Sequence, residues 1–380
     1  MRPKVKVAVV RASTRRRAVT EALALVADDV RACVAPRTLI KPNLVSHTSQ
    51  LPSTHVDTLS AALDAVLAAG AHDVVIAEGA SDATAGFKRF GYQHAVKGRP
   101  VRFFDLNTDE AEWEPLELTG VDGSTRVARV SRTVARADCR VSLALAKTHV
   151  TSGLTFSLKN MLSSIHPHDR VMMHGHAGGG NGATGWKRLA VEFLKGDGLL
   201  VNALTRLMGR VRNARTALLD LRRSEEEAFL ALRPSESNFL RSVAAMNRNL
   251  VALATVTKPH LSVVDGFVGM HREGPRHGTP IGLRTVIAGT DAVAVDAVSA
   301  AVMGFDPRDF GFLLGCQRAG LGTADLGAIA IVGDPIAAVR RRCVPHSNHA
   351  VQRHWRRLDP AELFHTPHFD RARARGIERS

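Results

Sequence analysis

Lysine is scarce in this chain, so its placement is informative. Ten lysines stand against 41 arginines in 380 residues. Three of the ten fall at or just beyond the ends of apolar runs. Lys41 opens Lys41-Pro42-Asn43-Leu44, Lys147 opens Lys147-Thr148-His149, and Lys159 lies in Ser157-Leu158-Lys159-Asn160. An ammonium is a compact point charge suited to a carboxylate or phosphate. Each lysine alone reads equally well as a solvated side chain; together they predict an anion site, with Asn43 and Asn160 adding hydrogen bonds. Carboxylates occupy similar places. Glu78 and Asp265 each precede a glycine, which lets a ligand approach closely, so both are candidate proton carriers. Asp291, just before an apolar helical stretch, reads as an N-cap, and Asp296 as a group that orients a neighbour. His149 is a candidate general base or oxyanion partner, a role His174 could also take.

Histidine is concentrated nearby. His149, His166, His168, His174 and His176 fall within 28 residues, with Asp169 among them. His-Pro-His-Asp and His-Gly-His each allow two imidazoles to face one ion. The metal reading therefore takes His166, His168, His174 and His176 as ligands of a divalent cation, although the spacing fits no standard zinc motif. The opposing reading is a polar loop whose histidines only make hydrogen bonds. Gly178-Gly179-Gly180-Asn181-Gly182 lacks the context of a phosphate-binding loop and reads as a hinge, a lid or a linker. His271, Glu273, Gly274, Pro275, His277 and Gly278 form a second polar turn that could close one wall of the same cleft. The histidines near the end of the chain, His346 among them, read as surface residues.

These residues must be held by something. Short apolar runs at Val5–Val10, Thr38–Ile40, Asp73–Ala77, Val101–Phe104, Cys139–Ala146, Leu261–Val264, Thr285–Ala288 and Ala328–Val332 read as strands. Helical stretches alternate with the first of them, over Ser13–Val30 and after Ser53-Thr54. This predicts an α/β fold, a mostly parallel sheet flanked by helices. Runs at Pro115–Leu118 and Arg126–Val134, around Asp122-Gly123, predict an inserted β-hairpin. A helix is expected over Thr155–Ile165 and an irregular loop over 165–185. An arginine-rich helical insertion outside the sheet is expected over 186–251. The expected organisation is one domain over 1–335 and an Arg/His-rich tail over 336–380. In such sheets ligands bind beyond the carboxyl ends of the strands, where most of the candidate residues fall.

Composition narrows the rest. Four cysteines without a Cys-x-x-Cys pair argue against a disulfide scaffold or a zinc ribbon. No run of 18 apolar residues predicts a spanning helix, and the start of the chain lacks the features of a signal peptide, so a cytoplasmic location is expected. Fifty-one basic against 36 acidic residues give a net charge of +15. Residues 206–248 contribute +4 of this and residues 336–380 contribute +6. That concentration admits a nucleic acid or an acidic protein as partner, although a solvated surface is the favoured reading.

The motifs Lys41-Pro42-Asn43-Leu44, Thr54-His55, Glu78-Gly79, Phe90-Gly91-Tyr92, Lys147-Thr148-His149, Ser157-Leu158-Lys159-Asn160, Asp265-Gly266 with Gly274-Pro275, and Asp291–Ala297 occur in an order that resembles the DUF362 family, over roughly residues 4–335. The resemblance implies an α/β fold with these motifs around one cleft. Many relatives carry a ferredoxin-like module with four-cysteine motifs. This sequence has none, so no iron–sulfur cluster is expected. The leading functional expectation is an enzyme acting on a small anionic metabolite by proton transfer, isomerisation, elimination or group transfer, with or without a metal. The alternatives are a metal- or cofactor-binding accessory protein and an arginine-rich nucleic-acid-associated protein.

Overall fold

The computed structural model describes residues 4–108, 112–177, 201, 203–205, 207–209, 211, 232 and 234–358. In chain order the elements are β1 (Val5–Arg11), α1 (Arg15–Leu25), α2 (Ala27–Cys33), β2 (Arg37–Lys41), α3 (Val56–Ala68), β3 (Asp73–Glu78), α4 (Ala83–Arg89), α5 (Tyr92–Ala95) and β4 (Val101–Asp105). The hairpin β5 (Trp113–Thr119) and β6 (Thr125–Ser131) follows, with α6 (Arg132–Ala135), β7 (Cys139–His149), β8 (Gly153–Thr155) and α7 (Ser157–Asn160). Then come α8 (Pro234–Thr257), β9 (Leu261–His271), β10 (Thr279–Ile281), β11 (Thr285–Gly289), α9 (Ala292–Val302), α10 (Gly311–Arg318), β12 (Ile329–Gly333), α11 (Ile336–Val339) and α12 (His349–Arg353).

The main sheet has ten strands in the order β12-β1-β11-β9-β7-β2-β3-β4, with β10 on β9 and β8 on β7. Pairing along β9-β7-β2-β3-β4 is parallel, because helices or long excursions return the chain to the same end. β11 runs antiparallel to both β9 and β1. No helix separates β9 from β11, so the chain can only reverse. Two apolar layers cover the sheet. Val19, Leu59, Leu63 and Val66 of α1 and α3 pack on one face; α8, α9 and the β5–β6 hairpin pack on the other.

Several elements differ from the sequence expectation. The helix expected over 13–30 is two helices, α1 and α2. The helix expected over 155–165 is the short α7 followed by a 3-10 turn, and the loop expected from 165 contains a 3-10 helix over Pro167–His174. The second half of α8, expected outside the sheet, is core: Met246, Leu250 and Leu253 are buried against the sheet layer. Over residues 336–358 the chain packs on the rest of the domain. Val339, Cys343 and Trp355 are buried, and the Trp355 indole donates to the Asp309 carbonyl at 2.7 Å. The glycine run 178–182, most of 186–233 and the stretch 359–380 lie outside the described residues.

Candidate active site

Five of the expected residues meet in one hydrogen-bonded network at the carboxyl ends of β2, β3 and β7. Lys147 Nζ donates to Asn43 Oδ1 and to the Pro52 carbonyl, each at 2.7 Å. Asn43 Nδ2 donates to Asn160 Oδ1 at 2.8 Å. Asn160 Nδ2 donates in turn to the Lys41 carbonyl and to Ser142 Oγ. Lys41 Nζ lies 2.8 Å from Glu78 Oε1. All five side chains are buried. The loop after β2 is fixed because Pro42 cannot continue the strand ladder. Thr54 then pins it: its hydroxyl accepts from the Asn43 N–H and donates to the Leu143 carbonyl on β7, both at 2.8 Å.

Glu78 is the most committed group. Oε1 takes Lys41, the N–H groups of Gly79 and Ala80, and the Ser163 hydroxyl, while Oε2 takes the Leu44 N–H. The amine and these donors outweigh burial and hold the carboxyl below its ordinary range. A carboxylate with five donors and a depressed pKa is a poor proton acceptor. The geometry therefore gives Glu78 the role of a hub, not the proton carrier expected from the sequence.

The amines are different. Burial, with Lys159 next in weight, pushes the Lys147 amine well below its ordinary value. Burial alone pushes Lys159, partly buried on α7, to about 8. Among the described residues neither has a carboxylate partner. The helix carrying Lys159 is fixed from below by Asp296, whose two oxygens accept the N–H groups of Ser157 (2.8 Å) and Leu158 (3.0 Å). Burial pushes that carboxyl up to about 7. Asp296 thus orients its neighbour as the sequence suggested, and Asp291 is an N-cap, accepting from Val293 and Ala294.

His149 ends β7, and its Nδ1 accepts the N–H groups of Thr151 (3.0 Å) and Ser152 (3.3 Å). The ring proton therefore sits on Nε2. Burial, then the charges of Lys159 and the neighbouring His174 and His346, pushes its pKa well below the ordinary value. A neutral imidazole with Nδ1 occupied is a donor at Nε2. Burial likewise pushes His174 down to about 3, which keeps it neutral.

Two expectations do not converge here. Asp265 is not at a strand end, because β9 continues to His271. It is fully buried on the α1–α3 face, where it meets Arg15 Nε at 2.9 Å, accepts from Thr58 Oγ1 at 2.6 Å and accepts from the Phe267 N–H. It lies outside the lysine network and, like Glu78, is engaged on every side. The proposed metal set is not assembled either. His166 and His168 stack at 5.3 Å, with His166 Nδ1 sharing a hydrogen with Arg129 and its ring edge-on to Trp113. His174 belongs with Lys159 and His149, and His176 is exposed. Among the described residues no three His, Cys, Asp or Glu side chains gather to hold a metal ion. The four described histidines therefore do not form the metal set expected from the sequence.

The turn after β9 does form a wall. Gly274 packs so closely on β7 that a side chain there would collide with the Thr148 carbonyl. A cavity of 320 Å³ opens beside His149, lined by Val150, Glu273, Arg276, His277, His346 and Ser347 among others. His346, expected on the surface, is buried because its Nε2 meets Glu273 Oε2 at 3.2 Å. Ser347 Oγ donates to the same carboxylate at 2.9 Å, and Gln352 Nε2 donates to the His149 and Val150 carbonyls. A larger cavity of 640 Å³, lined by Phe305, Arg308, Leu314 and Arg340 among others, holds none of the expected site residues. Sequence reasoning missed Ser163 and the wall at 346–352. Ser163 stands in no motif, and the Arg/His-rich segment shows no periodicity.

Among the described residues no helix is long and apolar enough to cross a membrane. A family described as a domain of unknown function, DUF362, has a sequence model that matches residues 38–301. A solved structure of lactate racemase apoprotein from Thermoanaerobacterium thermosaccharolyticum is similar to this chain at 18% identity and a TM-score of 0.32, over 46% of this chain and 42% of that one. The similarity thus spans less than half of that protein. No curated protein matches.

Proposed function

We propose that this chain, which belongs to the DUF362 family, is an enzyme acting on a small carboxylate or phosphate held by Lys147 and Lys159. One observation carries the reading. Lys41, Lys147 and Lys159 lie at or just beyond the carboxyl ends of the strands, and Glu78, the buried acid beside them, is bonded to Lys41 and to neither of the other two. Lys147 contacts only neutral oxygens. A buried cation without a counter-charge is costly, and a bound anion supplies what is missing. In this reading the anion lies between the two amines and the cavity beside His149. His149 Nε2–H donates to an oxygen that gains negative charge, as a neutral imidazole can in a dry site. Lys159, with its pKa near 8, exchanges a proton close to neutrality. Glu78 and Asp296 position the loop and helix that carry the amines. Proton transfer on the bound anion, leading to isomerisation, elimination or group transfer, fits these groups.

The test is a thermal-shift screen of small carboxylates and phosphates on the full chain. A stabilising anion is expected, with its effect lost in Lys159→Met and in Lys147→Met, each compared with its own ligand-free midpoint. An anion that stabilises wild type and both variants equally would remove this site from consideration. So would a screen without any stabiliser.

A further inference from the structure

The two edges of the main sheet are guarded differently. At one edge, β4 follows Arg99-Pro100 and carries Arg102 and Asp105. Arg102 is exposed and lies 3.6 Å from Asp73. Charge and proline on an edge strand keep a second chain from adding to it. At the other edge, β12 reads Ile329-Ala330-Ile331-Val332-Gly333, with no charge and no proline. It lies in unbroken parallel register with β1, from Ile329 opposite Val5 to Gly333 opposite Val9, so no bulge turns it away. Among the described residues, positions 330–333 make backbone hydrogen bonds only to β1. The N–H and C=O groups on the outer side are left for another strand to take.

The surface around β12 is apolar as well. Leu326, in the 3-10 turn just before the strand, is exposed. So is Leu25 of α1, which stands where a side chain at Gly333 would touch it. The 640 Å³ cavity opens beside the same strand, because Leu326 precedes β12 and Ile336 follows it; Phe305 and Leu314 add to its apolar lining. The charges nearby are engaged within the chain. Asp334 accepts the Arg11 N–H at 2.7 Å, Asp325 accepts the Gly327 N–H, and Arg308 is held by Asp306 at 2.7 Å.

We propose that β12 is an interface with a second copy of this chain. The two β12 strands pair antiparallel and join two ten-stranded sheets into one. Identical edges satisfy each other about a two-fold axis when they run antiparallel, and such a dimer is closed. With the axis at Ile331 every residue of the strand is paired, Ile329 with Gly333 and Ala330 with Val332. Five residues span only about 17 Å, whereas a stable interface covers about 800 Å² on each partner. The cavity mouth and the two exposed leucines supply apolar surface beyond the ladder. Repulsion between two chains of charge +15 opposes the pairing, so salt tightens it. β1, β11 and β9 stand between this edge and β7, so the inference is independent of the anion site.

Light scattering after size exclusion measures the mass of the full chain over a roughly hundredfold dilution series. The expected result is a dimer that dissociates on dilution and tightens with added salt. Hydrogen exchange read by mass spectrometry on wild type locates the interface. Amides of residues 329–333 should lose protection on dilution, while those of 101–105 stay constant. Ile331→Lys sets two ammonium groups against each other at the axis, and Leu326→Arg charges the rim from outside the strand. Each should weaken the dimer at least about tenfold. The proposal is overturned by a chain that stays monomeric throughout, by a dimer that salt loosens or whose protected amides lie elsewhere, or by association that both variants leave unchanged. The exchange measurement needs no variant, so it decides the matter even if Ile331→Lys folds poorly.

Discussion

Replacing Glu78 by alanine separates a structural carboxylate from a catalytic one. The substitution strips the Lys41 ammonium of its counter-charge in a site with no exposure of either side chain. Removing one partner of a buried ion pair costs about 3–5 kcal/mol. It also leaves the N–H groups of Leu44, Gly79 and Ala80 without acceptors, and an unsatisfied buried donor costs about 1–3 kcal/mol. Water entering the vacated space offsets part of this, so a loss above about 4 kcal/mol is expected. Urea unfolding followed by circular dichroism measures it. In a double-mutant cycle, Lys41→Met with Glu78→Leu should recover at least about 2 kcal/mol of the summed single losses. The pH dependence adds a sign. The folded-state carboxyl lies below its ordinary value, so its contribution is complete above that value and is lost as the pH falls through the depressed one. If Glu78→Ala unfolds within about 1 kcal/mol of wild type, the hub assignment is wrong and the carboxylate is again a candidate base.

Lys159 should behave in the opposite sense. Its amine is pushed down to about 8, so the fold penalises the charged form. Wild type should gain stability relative to Lys159→Met as pH rises from about 8 towards the ordinary lysine value. Asp296, pushed up to about 7, should destabilise the fold progressively as pH rises from the ordinary aspartate value to about 7. Urea melts across that window should show the slope vanish in Asp296→Asn. Trp355→Ala should cost about 3–5 kcal/mol, as a buried indole truncated in a core does. A chain ending at residue 340 should then fail to unfold as one cooperative unit in a thermal melt; a wild-type transition there would show the segment to be dispensable.

The legible part of the site was the part written in local sequence. Lys41-Pro42-Asn43 and Lys147-Thr148-His149 announce themselves because an apolar run stops and a scarce residue type follows. Asp265 misled because Gly266 read as a strand end. The backbone instead continues through an irregularity in the β7–β9 ladder between Leu145 and Lys147, a register matter that no single strand records. The committed state of Glu78 depends on Ser163, 85 positions away, and spacing cannot signal such a bond. Residues 336–358 read as a tail because arginine and proline obscure the few apolar anchors, Val339, Cys343 and Trp355. Those anchors find their partners on α8 and α9, elements distant in sequence.

The cavity wall at His346, Ser347 and Asn348 has a consequence for synthesis. The lysines, His149 and every strand of the sheet are translated before these residues, at roughly 5–20 residues per second. A nascent chain can fold its strands, yet it lacks the side-chain amide that braces the His149 carbonyl until Gln352 has emerged. The wall beside His149 therefore closes late in translation, and a chain stalled short of that point would hold the amines in place without an enclosed cavity beside them.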